Sequence, residues 1–202
     1  MDDKTIIEQV LAGDNDAFGE LVERYQGKIY NLCLRMCGDP DDAFDLSQDT
    51  FVRAWKALSG FQFESAFSTW LFRLCSNICL DFLRAKKRRA AVSLTMSDED
   101  GETQLDLPDP AKGPEELLLA AEDRQTLVKA LNSLPADQRQ IITLRAINGL
   151  SYAEIGQVMQ LQEGTVKSRL SRARTSLRNK LSQIGNKPAF DSSLPSERRD
   201  AR

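Results

Sequence analysis

The side chains best placed to do chemistry with a partner lie between Thr165 and Arg178, in the run Thr-Val-Lys-Ser-Arg-Leu-Ser-Arg-Ala-Arg-Thr-Ser-Leu-Arg. Wound at a helical period, Val166, Leu170, Ala173, Leu177 and Leu181 form one apolar stripe and predict an amphipathic helix. The opposite face holds Ser168, Ser171, Arg172 and Thr175, flanked by Lys167, Arg174 and Arg178 on one edge and Thr165 and Arg169 on the other. Nearly every solvent-facing position can donate a hydrogen bond, so this surface suits an anionic partner.

Cysteine is the other reactive type. The chain has four Cys and no His. The absence of His removes imidazole acid/base chemistry, His-based triads and imidazole metal sites. The cysteines fall as Cys33-x3-Cys37 and Cys75-x3-Cys79, each pair one helical turn apart. Such thiols share a helix face, so a four-thiolate metal site is conceivable. The simpler reading is that reduced Cys packs as a small apolar residue, because these positions fall on apolar stripes. Hence no metal site is expected, and no His-based catalytic group is available.

The basic helix needs a mount, and the residues before it supply one. Ser151-Tyr-Ala-Glu154 is a capping box and Gly149 suits a left-handed helix end. A short helix over about Tyr152 to Met159 should turn Ile155, Val158 and Met159 inward, followed by a tight turn at about Leu161 to Gly164. Short helix, turn and longer basic helix make a helix-turn-helix, whose second helix enters the DNA major groove by its N-terminal residues. That makes Lys167, Ser168, Ser171 and Arg172 the candidates to reach base edges, with Arg174 beside them. The rival reading is a helical hairpin with a solvated basic face.

Upstream, spacing predicts a short helix over residues 4–12 and a second from a cap at Asp14 or Asn15 to about Gly38, with Asp39-Pro40 as the break. In a third, from about Asp41 to Leu58, Phe44, Phe51, Ala54, Trp55 and Leu58 can pack inward while Asp45, Gln48, Asp49 and Arg53 stay outside. The loop Ser59 to Ser65 carries Phe61 and Phe63 outside any helical stripe, where an aromatic either tucks against the domain or stacks on a base. A fourth helix, about Ala66 to Arg89, has Trp70, Leu71, Leu74, Cys75, Ile78 and Phe82 on its apolar side and ends in Arg84-Ala-Lys-Lys-Arg-Arg89. Helices over Leu117 to Leu131 and from Pro135, at an N1-like position, to about Ile147 complete the chain.

Charge is segregated along this order. Residues 163–180 hold six Lys or Arg and one acid, while residues 98–116 hold eight acids and one Lys, so the net charge of -3 describes neither surface. With 41% hydrophobic and 28% charged residues, no basic-then-apolar leader after Met1 and no apolar run long enough for a bilayer, a cytoplasmic chain is expected. The expected architecture is all-α: a helical domain over 1–90, a flexible acidic linker over 91–114, a helix-turn-helix domain over 115–185 and a disordered tail over 186–202.

Four segments in this order resemble the extracytoplasmic-function (ECF) group of RNA polymerase sigma factors. They are Asp16 to Tyr25, Asp45 to Trp55, Phe67 to Asn77 with Asp81 and Arg84, and Leu134-Pro135 through Gly149-Leu-Ser-Tyr-Ala-Glu-Ile and Gly164 to Arg174. The resemblance covers roughly residues 5–182. It implies a transcription-initiation subunit that binds core RNA polymerase, through the beta-prime clamp helices and the beta flap, and promoter DNA. It also implies control by an anti-sigma factor, a link to stress response and no membrane insertion. Asp45, Gln48, Asp49 and Trp55 would meet the polymerase. Phe61, Phe63, Asn77, Arg84 and Arg88 would serve the minus-ten element, with a base flipped into the loop from Gly60 to Ser65. Lys167, Ser168, Ser171, Arg172 and Arg174 would read the minus-thirty-five element. Two departures stand out: Cys75 and Cys79 replace the family's frequent small apolar residues, and Ser171 sits where a bulkier reader can occur.

Overall fold

A computed structural model of the chain describes residues 1–93 and 125–184, and among these every regular element is helical. The expected tail, nearly all of the expected acidic linker and the start of the helix expected from Leu117 lie outside the described residues. No helix among them is long and apolar enough to cross a membrane.

Helix α1 (Asp3–Leu11) is capped by the Asp2 carboxylate, which accepts from the Thr5 amide at 2.8 Å. It buries Ile6, Ile7 and Val10, and its Asp3 accepts from the Arg24 guanidinium and from the Tyr25 hydroxyl, tying α1 to α2 (Phe18–Cys37). A short 3-10 turn, Asn15–Ala17, enters α2 under an Asp14 cap, and Gly38 ends α2 in the left-handed region at φ 80°. In α3 (Pro40–Ala57) the Asp39 carboxylate accepts from the amides of Asp41 and Asp42 at 3.0 and 2.9 Å. Pro40, expected only as a break, is therefore the first residue of the helix, where its missing N–H costs nothing.

The inward face of α3 differs from the expected one. Ala43, Leu46, Ser47, Thr50, Ala54 and Leu58 are buried, while Phe44 and Trp55 are 55% and 39% exposed. Two hydroxyls make this rotation possible. Ser47 donates to the Phe44 carbonyl at 2.8 Å and Thr50 to the Leu46 carbonyl at 2.7 Å, so neither needs water when buried. Small side chains on that face let α3 approach α2 closely, and the large aromatics are turned outward.

Helix α4 (Phe67–Ser93) runs four residues past its expected end, with no Gly or Pro to stop it, and packs on α2 and α3. After the helical residues 125–132 (α5) come α6 (Ala136–Ile142), continued by a π-helical turn over Thr143–Ile147, then α7 (Tyr152–Met159) and α8 (Glu163–Ile184). Pro135 sits one place earlier than expected, at the N-cap of α6. Ile141, Leu144, Ile155, Val166, Leu170 and Ala173 form the core of this half.

The halves touch. α7 lies against α4, the Asn148 side chain donates to the Lys28 carbonyl at 3.3 Å, and Arg139 reaches across to α2. The Arg139 guanidinium is 8% exposed and donates to the carbonyls of Met36 at 2.6 Å, Asn132 at 2.5 Å and Leu134 at 3.2 Å. Burial lowers its pKa, and no carboxylate faces it among the described residues. It rests instead on the negative end of α2.

The capping box is present as expected: Ser151 accepts from the Glu154 amide at 3.2 Å and Glu154 accepts from the Ser151 amide at 2.8 Å. The turn after it is built differently. Gln160, at φ 55°, takes the left-handed position, Leu161 donates to the Gly156 carbonyl at 2.8 Å, and Gly164 lies inside α8. Gly156 is the residue the turn needs, since a Cβ there would meet the Leu161 carbonyl oxygen at 2.7 Å. Gly156→Ala should therefore destabilise the chain by about 1–3 kcal/mol, read as a lower urea midpoint, whereas Gly164→Ala, with open space around it, should not.

Candidate nucleic-acid interface

The capped α7 and the Gly156 turn fix how α8 is presented. Its buried stripe is the expected one, with Val166, Leu170 and Ala173 inside and Leu177 and Leu181 half-buried, so Lys167, Ser168, Ser171, Arg172 and Arg174 all face solvent. They do not dangle. Lys167 pairs with Glu163 at 2.9 Å and lies 5.4 Å above the Tyr152 ring, which Arg145 also covers at 4.8 Å. Ser168 donates to the Thr165 carbonyl at 3.0 Å, and the Arg172 guanidinium folds back on Ser168, Nε to its carbonyl at 3.4 Å. These contacts are exposed and weak, about 0.3–0.5 kcal/mol for the ion pair. A partner with phosphates or base edges can take the donors over at small cost. What the face offers is a ridge of exposed cationic and hydroxyl donors.

A second concave surface forms where the loop after α3 meets α4. A short 3-10 turn, Leu58–Gly60, leads into it. The loop and α4 enclose a cleft of about 320 Å³, bordered by Gly60, Gln62 and Ser65 of the loop and Thr69, Trp70 and Arg73 of α4. Its two sequence-predicted aromatics do different things. Phe61 is only 7% exposed and packs on Phe63, Trp70 and Phe67 at centroid distances of 4.9, 5.2 and 5.9 Å. It is part of the wall. Phe63 is 40% exposed, held at the unusual φ of 56°, with the Lys4 ammonium 5.9 Å from its ring.

Trp70, expected on the apolar side of α4, and Arg73 are cleft residues that the sequence left unassigned. The signal was present: Trp70, Arg73, Asn77, Arg84 and Arg88 recur at helical spacing along one side of α4. Asn77, Arg84 and Arg88 are exposed along it, and Arg84 pairs with Asp81 at 3.0 Å. Gln157 of α7 also borders the cleft, placed there by the packing of α7 on α4. No sequence pattern points to it.

On α3, Asp45 and Gln48 are exposed as expected, and Asp49 bonds to Arg53 one turn on, Arg53 Nη2 lying 2.9 Å from its carboxylate. Trp55 covers Phe18 edge-on at 5.0 Å while showing the rest of its ring to solvent beside exposed Val52. This face of α3 mixes acids with an apolar edge, complementary to a basic amphipathic helix.

Cys33, Cys75 and Cys79 are fully buried between α2 and α4, and Cys37 is half-buried. Hydrogen bonds from the other two thiols pull Cys33 down, to about 5, and Cys75 and Cys79 are pushed up in consequence. Burial pushes Cys37 up to about 11.

Residues 21–89 match the family described as Sigma-70 region 2, and residues 124–177 match Sigma-70, region 4. The chain is 35% identical to the ECF RNA polymerase sigma factor SigW of Bacillus subtilis over 90% of its own length and 97% of the relative's. It is 39% identical to the ECF RNA polymerase sigma-E factor of Escherichia coli, over 90% and 95%. Among solved structures it resembles the sigma factor RpoE of Bartonella quintana in complex with the anti-sigma factor NepR, with a TM-score of 0.67 and 29% identity over 83% of this chain and 98% of that one. CnrH in complex with the cytosolic domain of CnrY gives 0.64 and 29% over 91% and 99%.

The different packing of the two loop aromatics has a measurable counterpart. Phe61→Ala should destabilise the chain by about 3–5 kcal/mol, as for other buried Phe truncations, and Phe63→Ala by less than about 1 kcal/mol, both read by denaturant melts.

Proposed function

The chain belongs to the extracytoplasmic-function family of RNA polymerase sigma factors, and we propose that it binds core polymerase in the cytoplasm and directs it to promoters as a non-enzymatic subunit. The observation that carries this reading is the exposed donor ridge of α8, mounted on a capped helix-turn-helix and joined in one chain to the cleft at the head of α4. Lys167, Ser168, Ser171, Arg172 and Arg174 read the minus-thirty-five element in the major groove. The cleft takes a base flipped from the minus-ten element, and Asn77, Arg84 and Arg88 follow the strand along α4. Extracting a base costs a few kcal/mol of stacking, which contact with Trp70 and the Phe61 wall of the cleft offsets. Asp45, Gln48, Asp49 and Trp55 meet the beta-prime clamp helices.

Two modest contacts on one chain gain from effective concentration, so each half alone binds promoter DNA weakly. Because Gln157 borders the cleft, seating a base there asks α7 to move off α4. An anti-sigma factor that holds the halves together would block that step, a reading supported by the structural relative RpoE, solved in complex with the anti-sigma factor NepR.

Run-off transcription with purified core polymerase and a promoter library is the test: transcripts from specific promoters that require this chain support the reading, and their absence overturns it. Arg172→Ala should lose about 1–3 kcal/mol of minus-thirty-five discrimination with core binding unchanged. Asp49→Arg should do the reverse, weakening polymerase capture in a fluorescence titration. Loss of core affinity in the first variant would contradict this division of labour.

A further inference from the structure

The thiols between α2 and α4 are arranged as a site. The Cys33 sulfur lies 3.4 Å from that of Cys75 and 3.8 Å from that of Cys79, and the three sulfurs are all within 4.8 Å of one another. A tetrahedral ion with metal–sulfur bonds of about 2.3 Å holds its sulfurs about 3.8 Å apart, and the two spacings from Cys33 already match that to within a few tenths of an ångström. All three cysteines are 0% exposed, so the donors are already desolvated and water is excluded from the centre.

We propose that Cys33, Cys75 and Cys79, completed by Cys37, bind one thiophilic d10 metal ion, zinc(II) or copper(I), as a structural centre joining α2 to α4. Cys37 stands one turn beyond Cys33, with its thiol now donating to the Asp39 carbonyl at 3.3 Å, and rotation about its side chain turns the sulfur inward. Two i,i+4 thiol pairs on facing helices then make a closed four-sulfur set. Each thiol that binds gives its proton to solvent, so the centre is anionic. A counter-charge is already in place: the buried Arg139 guanidinium lies within electrostatic reach of Cys37, and its Nε has no partner. Disulfide chemistry fits less well, since an oxidant would have to reach three sulfurs with no exposed surface. Because Cys33, Cys75 and Cys79 have no exposed surface, the ion enters as the chain folds.

The full chain, unfolded and reduced without oxygen in the presence of a chelator, is refolded with zinc(II), with copper(I) or with neither, then desalted. The expected result is about one ion per chain with at least one of the two metals and a melting temperature above that of the metal-free protein. Cadmium as a probe should give a thiolate charge-transfer absorption in the full chain that disappears in the Cys33→Ala, Cys75→Ala, Cys79→Ala triple variant. Should that variant not fold, Cys75→Ala alone is expected to lower zinc retention about tenfold or more against a chromophoric chelator. Uptake below about a tenth of an equivalent of both ions, or equal retention by Cys75→Ala, overturns the proposal. So does an intramolecular disulfide, seen by mass in protein refolded with metal.

Discussion

Burial of one face of α2 is the constraint on which the rest of the fold depends. Ile29, Leu32, Cys33 and Met36 are all 0% exposed on that face, and each large side chain there contributes about 1.5–3 kcal/mol by leaving water. α3 and α4 both pack on α2, so the angle between them, and with it the shape of the loop that joins them, follows from this one helix. The cleft at the head of α4 exists because that loop must turn back over the aromatic cluster of Phe61, Phe67 and Trp70. The far end of α2 serves the other half of the molecule, where the Met36 carbonyl receives Arg139.

The surfaces proposed as partner interfaces are made of weaker contacts than the scaffold beneath them. On α8 the donors form exposed intrahelical bonds that exchange cheaply, and on α3 Asp49 is paired with Arg53 at the surface. Preformed but lightly held side chains keep their positions without resisting a stronger acceptor. The rigidity lies underneath, in the capping box, the Gly156 turn and the apolar stripe.

Features governed by local rules were readable from the sequence. The α8 stripe, the Ser151–Glu154 box, the helix end near Gly38 and the left-handed Gly149 follow from periodicity and capping, and the structure reproduces them. The phase of α3 was not readable, because hydropathy favours burying Phe44 and Trp55 over Ser47 and Thr50. Close helix packing chose the small residues, and their hydroxyls found carbonyls within their own turn. The turn before α8, expected at about Leu161 to Gly164, closes before Glu163 opens the helix, because the steric need falls on Gly156 and the left-handed residue is Gln160. Gln157 at the cleft and Arg139 at α2 depend on how distant segments meet, which no local pattern encodes.

Arg139 joins the halves by charge, with no carboxylate beside it among the described residues. Its guanidinium gives up most of its hydration to sit on three peptide carbonyls, and a cation so held gains solvation the moment the seam parts. Water thereby repays much of what the lost bonds withheld. The join behaves as a reversible clasp rather than a weld, one that a competing macromolecule can undo without unfolding either side.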